Sequence, residues 1–400
     1  MEKIFGYSAQ ALADLGALTT AQEIRQQPGL WKQTYHSLKE QKQSIGEFMH
    51  RALAIPGLRI ILTGAGSSAF AGECTAPYLS KRLSRTVEAI ATTDIVSSPM
   101  NYLIPEVPTL LISYARSGDS PESIAAIDIA DEVIRNVYHV VLTCNRGGEL
   151  AKRFQSRGSD LLLLMPEDSN DKGFAMTGSF TCMALTTLLI FDIDGIEGYR
   201  STVDSICAAG EKYLEEGCGK IMEAAGRSFN RLVYLGSGCL KGLAREAALK
   251  MLELSAGKVM TGFDSPLAFR HGPKSVIDES TLIISFVSNE AYTRQYDIDL
   301  IREIHREKSG NRIIAVSGKA EAELDSIADT VLVMEQQGKA EQDDVFLIFD
   351  FILIGQTLAL FKSLSFGVEP DNPSPNGTVN RVVRGVRIYR LRNPELKGSN

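Results

Sequence analysis

Four hundred residues, 44% apolar and 23% charged, describe an ordinary globular chain long enough for two domains or one duplicated domain. A net charge of −7 with no Lys/Arg-rich run argues against a nucleic-acid surface. The start, Met1-Glu2-Lys3-Ile4, lacks the basic-then-apolar pattern of a signal peptide, and the six cysteines (Cys74, Cys144, Cys182, Cys207, Cys218, Cys239) form no C-x-x-C pair, so the chain reads as a cytoplasmic protein with reduced thiols.

Residues 1–50 are polar and helical in pattern, with Pro28-Gly29 as a break, and read as a lead-in. From about residue 58, short β-branched or leucine runs alternate with helical segments, the pattern of a parallel sheet wrapped by helices. The pattern then recurs. Arg59 to Ser67 resembles Arg231 to Cys239 at an offset of 172, and Thr109 to Tyr114 resembles Thr281 to Phe286 at the same offset. Val140 to Thr143 matches Ile313 to Val316 at 173, and Asp160 to Leu164 matches Asp329 to Val333 at 169. The expectation is an α/β fold of two homologous halves, over 51–215 and 216–366, each a small parallel sheet with helices on both faces. A tail covers 367–400. The longest apolar segment, Val345 to Phe361, is interrupted by Asp350 and Gln356 and reads as a buried core helix, with no membrane partner implied.

Ligands of such sheets bind outside the carboxyl ends of the strands, and the chemistry-bearing motifs fall there. Gly64-Ala65-Gly66-Ser67-Ser68 ends a strand and opens a helix, whose free N–H groups suit an anion. Arg116-Ser117-Gly118-Asp119-Ser120-Pro121 does the same after the next strand, with Ser120 at the N-cap and Pro121 at the first helical position. The first turn brushes against a dinucleotide fingerprint, but its sixth residue is Ala69, the acidic residue expected later is only Glu88, and there is no Walker loop. A phosphosugar fits better than a nucleotide. Further on, Glu246, Lys250 and Glu253 stand at i, i+4 and i+7 on one helix face, followed by His271-Gly272-Pro273 on a loop. Carboxylates, an ammonium and an imidazole suit proton-shuttling chemistry on a small polar substrate, although Glu–Lys spacing alone also suits a solvated helix face. His36, His50 and His305 read as surface residues and His139 as packing. No His, Cys or carboxylate pair sits at metal-ligand spacing.

These residues resemble the sugar isomerase (SIS) family, in particular the isomerase half of glucosamine-6-phosphate synthase, over roughly residues 20–385. Glu23-Ile24-Arg25-Gln26-Gln27-Pro28 is similar to its Glu-Ile-x-x-Gln-Pro segment, Ser117-Gly118-Asp119-Ser120 to its phosphate loop, Gly66-Ser67-Ser68 to its Gly-Thr-Ser loop, and Ala175-Met176-Thr177 to its Ala-Ser-Thr. Glu246 to Ser255 and His271 to Pro273 match its most specific segments. In whole-chain architecture the sequence resembles bacterial galactosamine-6-phosphate deaminase/isomerases, also labelled tagatose-6-phosphate ketose-aldose isomerases.

The resemblance implies two flavodoxin-like SIS halves and a tail closing over the site. It implies Glu253 as the proton-shuttling base, His271 as the group that opens the sugar ring, and Lys250 as the stabiliser of charge on oxygen. Gly66, Ser67, Ser68, Arg116, Ser117, Ser120 and Thr177 would hold the phosphosugar, and Glu246 would orient Lys250. It implies no cofactor and association as a homodimer or higher homo-oligomer, with a site often completed by the neighbour's histidine. One departure stands out: the synthase tail carries a lysine, whereas Asn376 to Arg381 here has none and offers only Arg381 as a cation. The synthase's ammonia-delivering domain has no counterpart, so an amino-sugar core here would release ammonia rather than install it. The rival readings are a tagatose-6-phosphate isomerase without nitrogen chemistry and a sugar-phosphate sensor, the latter disfavoured by the absence of a basic recognition helix.

Overall fold

The computed structural model describes residues 3–337, 343–383 and 385–391. A small hairpin, β1 (Lys3–Ile4) and β2 (Tyr7–Ser8), precedes the helices Ala9–Asp14, Leu18–Arg25, Gln27–Glu40 and Lys42–Leu53. Pro28-Gly29 does not interrupt them. Pro28 lies in the first turn of Gln27–Glu40, where a missing N–H costs no helical hydrogen bond, and the break falls at Gln26.

Two five-stranded parallel sheets follow. The first runs β4 (Val87–Ala89), β3 (Arg59–Thr63), β5 (Thr109–Ala115), β6 (Val137–Thr143), β7 (Leu161–Leu164) across its width. The second runs β9 (Met260–Asp264), β8 (Arg231–Leu235), β10 (Thr281–Val287), β11 (Arg312–Ser317), β12 (Thr330–Val333). Both therefore have the flavodoxin-like order 2-1-3-4-5. The register repeats as well as the order: Arg59 lies opposite Thr109 and Arg231 opposite Thr281, each pair related by 172. The third pair is corrected by one residue. Val140 lies opposite Ile112 and Ile314 opposite Ile284, so the offset is 314 − 140 = 174 rather than 173. β4 and β9 escaped the repeat because they are short edge strands without a fully buried run.

Side-chain alternation places the core. Ile60, Leu62, Leu110 and Ile112 of the first sheet and Leu232, Tyr234, Leu282 and Ile284 of the second face one shared cluster between the sheets. The intervening Ile61 and Leu111 face an outer cluster on the first sheet, and Val233 and Ile283 face another on the second. Helices Ser67–Leu83, Gly178–Ile190, Cys239–Leu254 and Asp344–Ser365 contribute to the shared cluster. Two glycines let them approach closely. A Cβ on Gly242 would stand 2.8 Å from the Cys74 backbone nitrogen, and one on Gly355 would stand 2.9 Å from Ala247 Cβ. Asp344–Ser365 is long and apolar enough to cross a membrane, yet it is buried inside the protein as a core helix. The lead-in docks on it, with Trp31 edge-on to Phe349 and Gln27 Nε2 donating to Gln356 Oε1 at 2.6 Å. All six cysteines are free and buried.

Candidate active site

The Gly-x-Gly turn after β3 is dictated by its backbone. Gly66 has φ +56°, and a Cβ on Gly64 would stand 2.6 Å from Ser68 Cβ in the first turn of the following helix. That geometry brings Ser67 and Ser68 to the helix N-terminus, beside the helix Cys239–Leu254 of the other half. There Lys250 Nζ donates to Ser67 Oγ at 2.9 Å.

The carboxylate–ammonium face is not solvated. Glu246 and Lys250 are fully buried, with the ammonium 3.3 Å from Glu246 Oε1 and 2.7 Å from Glu253 Oε2. Burial pushes the Glu246 carboxyl up to about 7 against the opposing pull of Lys250. Burial works against the Lys250 charge too, but Glu246 and Glu253 outweigh it and hold its affinity for the proton above the usual lysine range. An ammonium has three protons, and here three oxygens surround it. Glu253 alone of the three reaches solvent, with its side chain 24% exposed.

The loop after β5 brings in the cation. Arg116 is buried, and its guanidinium donates to the carbonyls of Arg381 (2.6 Å) and Phe174 (3.4 Å). Burial, then the neighbouring Arg381 charge, lowers its proton affinity, opposed by Asp171 and Glu253. The charge of Glu253 therefore reaches Arg116, relating the Glu246–Lys250–Glu253 cluster to the hydroxyl-rich loop. Gly118 takes φ +69°, Ser117 O accepts from Asn145 Nδ2 at 2.8 Å, and Ser120 sits at the N-cap of Pro121–Val133. Instead of capping that helix, the Ser120 hydroxyl donates to Ser123 Oγ at 2.6 Å.

Sequence reading missed Asp171, which organises the third wall. Its fully buried carboxylate accepts from Thr177 N (2.9 Å), Thr177 Oγ1 (2.6 Å), Gly178 N (3.1 Å) and Ser179 N (3.0 Å), capping the helix Gly178–Ile190. The Thr177 hydroxyl proton is thus already committed within the protein. An acidic residue six positions before a Thr-Gly-Ser turn was the available signal. Arg381 donates to the Asp171 carbonyl, so the tail cation does arrive at this wall; residues 384 and 392–400 of the tail lie outside the described residues. His271 is not brought to the cluster. It is exposed on the loop after Pro266–Phe269, and its ring makes no hydrogen bond or ion pair among the described residues. Its neighbours Arg270 and Lys274 tie the loop to Asp299, Glu303 and Glu307 of the helix Ala291–Glu307. A cavity of about 1070 Å³ between Arg200–Lys212 and β12 is lined by none of these residues, so volume does not locate the site.

Residues 55–191 match the SIS domain family model. Over 385 residues the chain is 43% identical to D-galactosamine-6-phosphate deaminase AgaS of Shewanella sp. (strain ANA-3), covering 96% of this chain and 94% of that protein. The crystal structure of tagatose-6-phosphate ketose/aldose isomerase from Escherichia coli matches with a TM-score of 0.84 at 38% identity, covering 94% of this chain and 97% of that one. The C-terminal domain of glucosamine-fructose-6-phosphate aminotransferase from Francisella tularensis matches with a TM-score of 0.72 at 18% identity, over 88% of this chain and 98% of that one, a likeness of fold alone.

Proposed function

This chain belongs to the AgaS family of SIS-domain proteins, and on that premise we propose that it is an enzyme converting D-galactosamine 6-phosphate to tagatose 6-phosphate and ammonia. The observation that carries the catalytic assignment is the unequal exposure of the buried trio. Glu246 and Lys250 are sealed, and only Glu253 can meet a substrate, with its carboxylate 2.7 Å from the Lys250 ammonium.

The chemistry follows from that arrangement. The phosphate binds at the turns Gly66-Ser67-Ser68 and Ser117–Ser120, with Arg116 as the cation. His271 moves the ring-oxygen proton and opens the sugar to its aldehyde. Glu253 removes the C2 proton and returns it to C1, which turns the 2-amino aldose into a 2-imino ketose. Lys250 balances charge at Glu253, and Glu246 orients Lys250. Water then adds to the C2 imine and ammonia leaves, so the net reaction hydrolyses the C2–N bond and couples that to an aldose–ketose isomerisation. Thr177 shapes the sugar end beside Asp171.

Within this reading the protein is cytoplasmic, and His271 enters the site of a neighbouring copy in a homodimer or higher homo-oligomer. The exposed Met260, Phe263, Leu267 and Val276 around that loop support an interface there. Mixing His271→Ala with Glu253→Gln subunits would then restore about a quarter of the wild-type activity through shared sites.

The decisive assay measures ammonia and ketohexose phosphate from galactosamine 6-phosphate and glucosamine 6-phosphate in parallel. Equimolar ammonia and ketose from the galacto substrate is the expected result. Silence with both, alongside conversion of tagatose 6-phosphate to an aldose, would replace this reading by a plain isomerase, the activity in the name of the Escherichia coli structure.

A further inference from the structure

The segment Glu23-Ile24-Arg25-Gln26-Gln27-Pro28 is used by none of the steps above, yet three of its side chains reach across the molecule. Gln27 is fully buried, donates to Gln356 and accepts from Thr181 Oγ1 at 3.1 Å. Gln26 Nε2 donates to the Asp168 carbonyl at 2.9 Å. Glu23 accepts from the backbone N–H groups of both Lys172 and Gly173, the second at 3.1 Å to Oε1 and 3.2 Å to Oε2. The contact is built for that carboxylate: a Cβ on Gly173 would stand 2.7 Å from Glu23 Oε2.

The held turn matters because of what flanks it. The carbonyl on one side, Asp171 O, accepts from Arg381; the carbonyl on the other, Phe174 O, accepts from Arg116. We infer that Glu23 is a positioning residue, a latch that fixes the Lys172-Gly173 turn and through it sets Arg116 at the phosphate end of the site and Arg381 beside it. The inference rests on the phosphosugar reading for what those arginines bind.

Ionised, Glu23 offers both oxygens to the two N–H groups; protonated, it keeps one good acceptor and weakens the latch. The charged groups facing it are Asp171 on the loop and Asp371 in the tail, where Asp371 accepts from Thr19 N (3.0 Å) and Thr20 N (2.7 Å). Burial first, then Asp171, pushes the Glu23 carboxyl up to about 7, while the two N–H groups pull it down. The latch therefore loosens as the pH falls through neutrality.

Two readouts test this on the full-length protein. Without any substrate, hydrogen exchange over residues 166–177 should speed up about tenfold in Glu23→Ala and far less in Glu23→Gln, which keeps an acceptor oxygen. With galactosamine 6-phosphate, Glu23→Ala should raise KM about tenfold while kcat stays within about threefold. Wild-type KM should also rise between about pH 8 and about pH 6 more steeply than that of Glu23→Gln; the substrate phosphate titrates equally in both, so the difference reports Glu23. Unchanged exchange in Glu23→Ala overturns the latch whatever the kinetics. Faster exchange with an unchanged KM overturns the positioning role alone. If Glu23→Ala does not fold, Glu23→Gln still decides by its pH profile, and one matching the wild type overturns the proposal. A wild type inactive on hexosamine phosphates overturns the phosphosugar reading, and the positioning role with it, but leaves the exchange result standing.

Discussion

The two halves share a sheet order, a register and a pair of Gly-x-Gly turns, and they differ in what sits on those turns. Gly66 and Gly238 take the same left-handed backbone, φ +56° and +55°, and a Cβ on Gly64 or Gly236 would collide with the helix that follows. In the second half the turns are filled from within. Asp297 accepts from Ser237 Oγ at 2.6 Å and from Ser288 N at 2.9 Å, and Asp344 accepts from Ser288 Oγ at 2.5 Å and Asn289 N at 2.7 Å. In the first half the loop after β5 is two residues longer, so the helix Pro121–Val133 begins 170 residues before Ala291–Glu307 and sets the apolar Ile127 at the place of Asp297, while Arg116 takes the place of Ser288. On the proposed reading, the same backbone seat for an anion is occupied by resident carboxylates in one copy and left for the phosphosugar, with an added cation, in the other. Duplication supplied the geometry, and a few side chains decide which copy is a site.

The comparison breaks most visibly at Glu253, whose role has no equivalent at the filled end. Glu253→Gln keeps the shape, removes the proposed base and should lower kcat about 10³-fold, measured by ammonia release, and it should also lower the thermal midpoint, because the buried Lys250 ammonium loses its nearer carboxylate. A smaller and more pointed effect comes from grafting the filled state onto the open half. Ser123→Asp should place a carboxylate beside Ser120, whose hydroxyl donates to Ser123 Oγ at 2.6 Å, and raise KM at least about tenfold through like-charge repulsion and lost anion capacity. Ser123→Asn, equal in size to the aspartate but neutral, should raise it much less. Equal effects from the two would mean that bulk, not charge, separates the halves.

Much of this was legible in sequence, for identifiable reasons. The strands of the repeat are buried on both faces, so Thr109 to Ala115 and Thr281 to Val287 stand out as continuous apolar runs, whereas the edge strands β4 and β9 do not. Glu246, Lys250 and Glu253 share a face because the helical period requires it. Their burial was not legible, because it depends on Ser67 arriving from a residue 183 positions away. Asp171 was missed, and Glu23 was noted only as part of a motif, for the same reason: their roles appear only once the turn at Lys172-Gly173 is folded against the lead-in. His271 was legible as a residue type in a motif, but its exposed position speaks of a surface and not of a finished site.

The mildest expected effect on turnover belongs to Asp297, and it sharpens the comparison through stability instead. Burial raises its carboxyl to about 6, opposed by its bonds from Ser237 and Ser288. Because the folded state binds this proton more tightly than the unfolded chain, the folded state is favoured at low pH. That contribution fades as the pH rises from about 4 to about 6 and is fully lost above, a change on the order of 3 kcal/mol for this group. Thermal midpoints of wild type and Asp297→Asn compared across that range should converge towards pH 4 and part as the pH rises, with the neutral amide the less pH-sensitive. The kcat of Asp297→Asn on galactosamine 6-phosphate should stay within about twofold of the wild type, since the filled seat takes no part in turnover. A large loss of kcat at an unchanged midpoint would mean that the second half binds substrate after all, and that the carboxylates at Ser237 and Ser288 belong to the chemistry rather than standing in for its ligand.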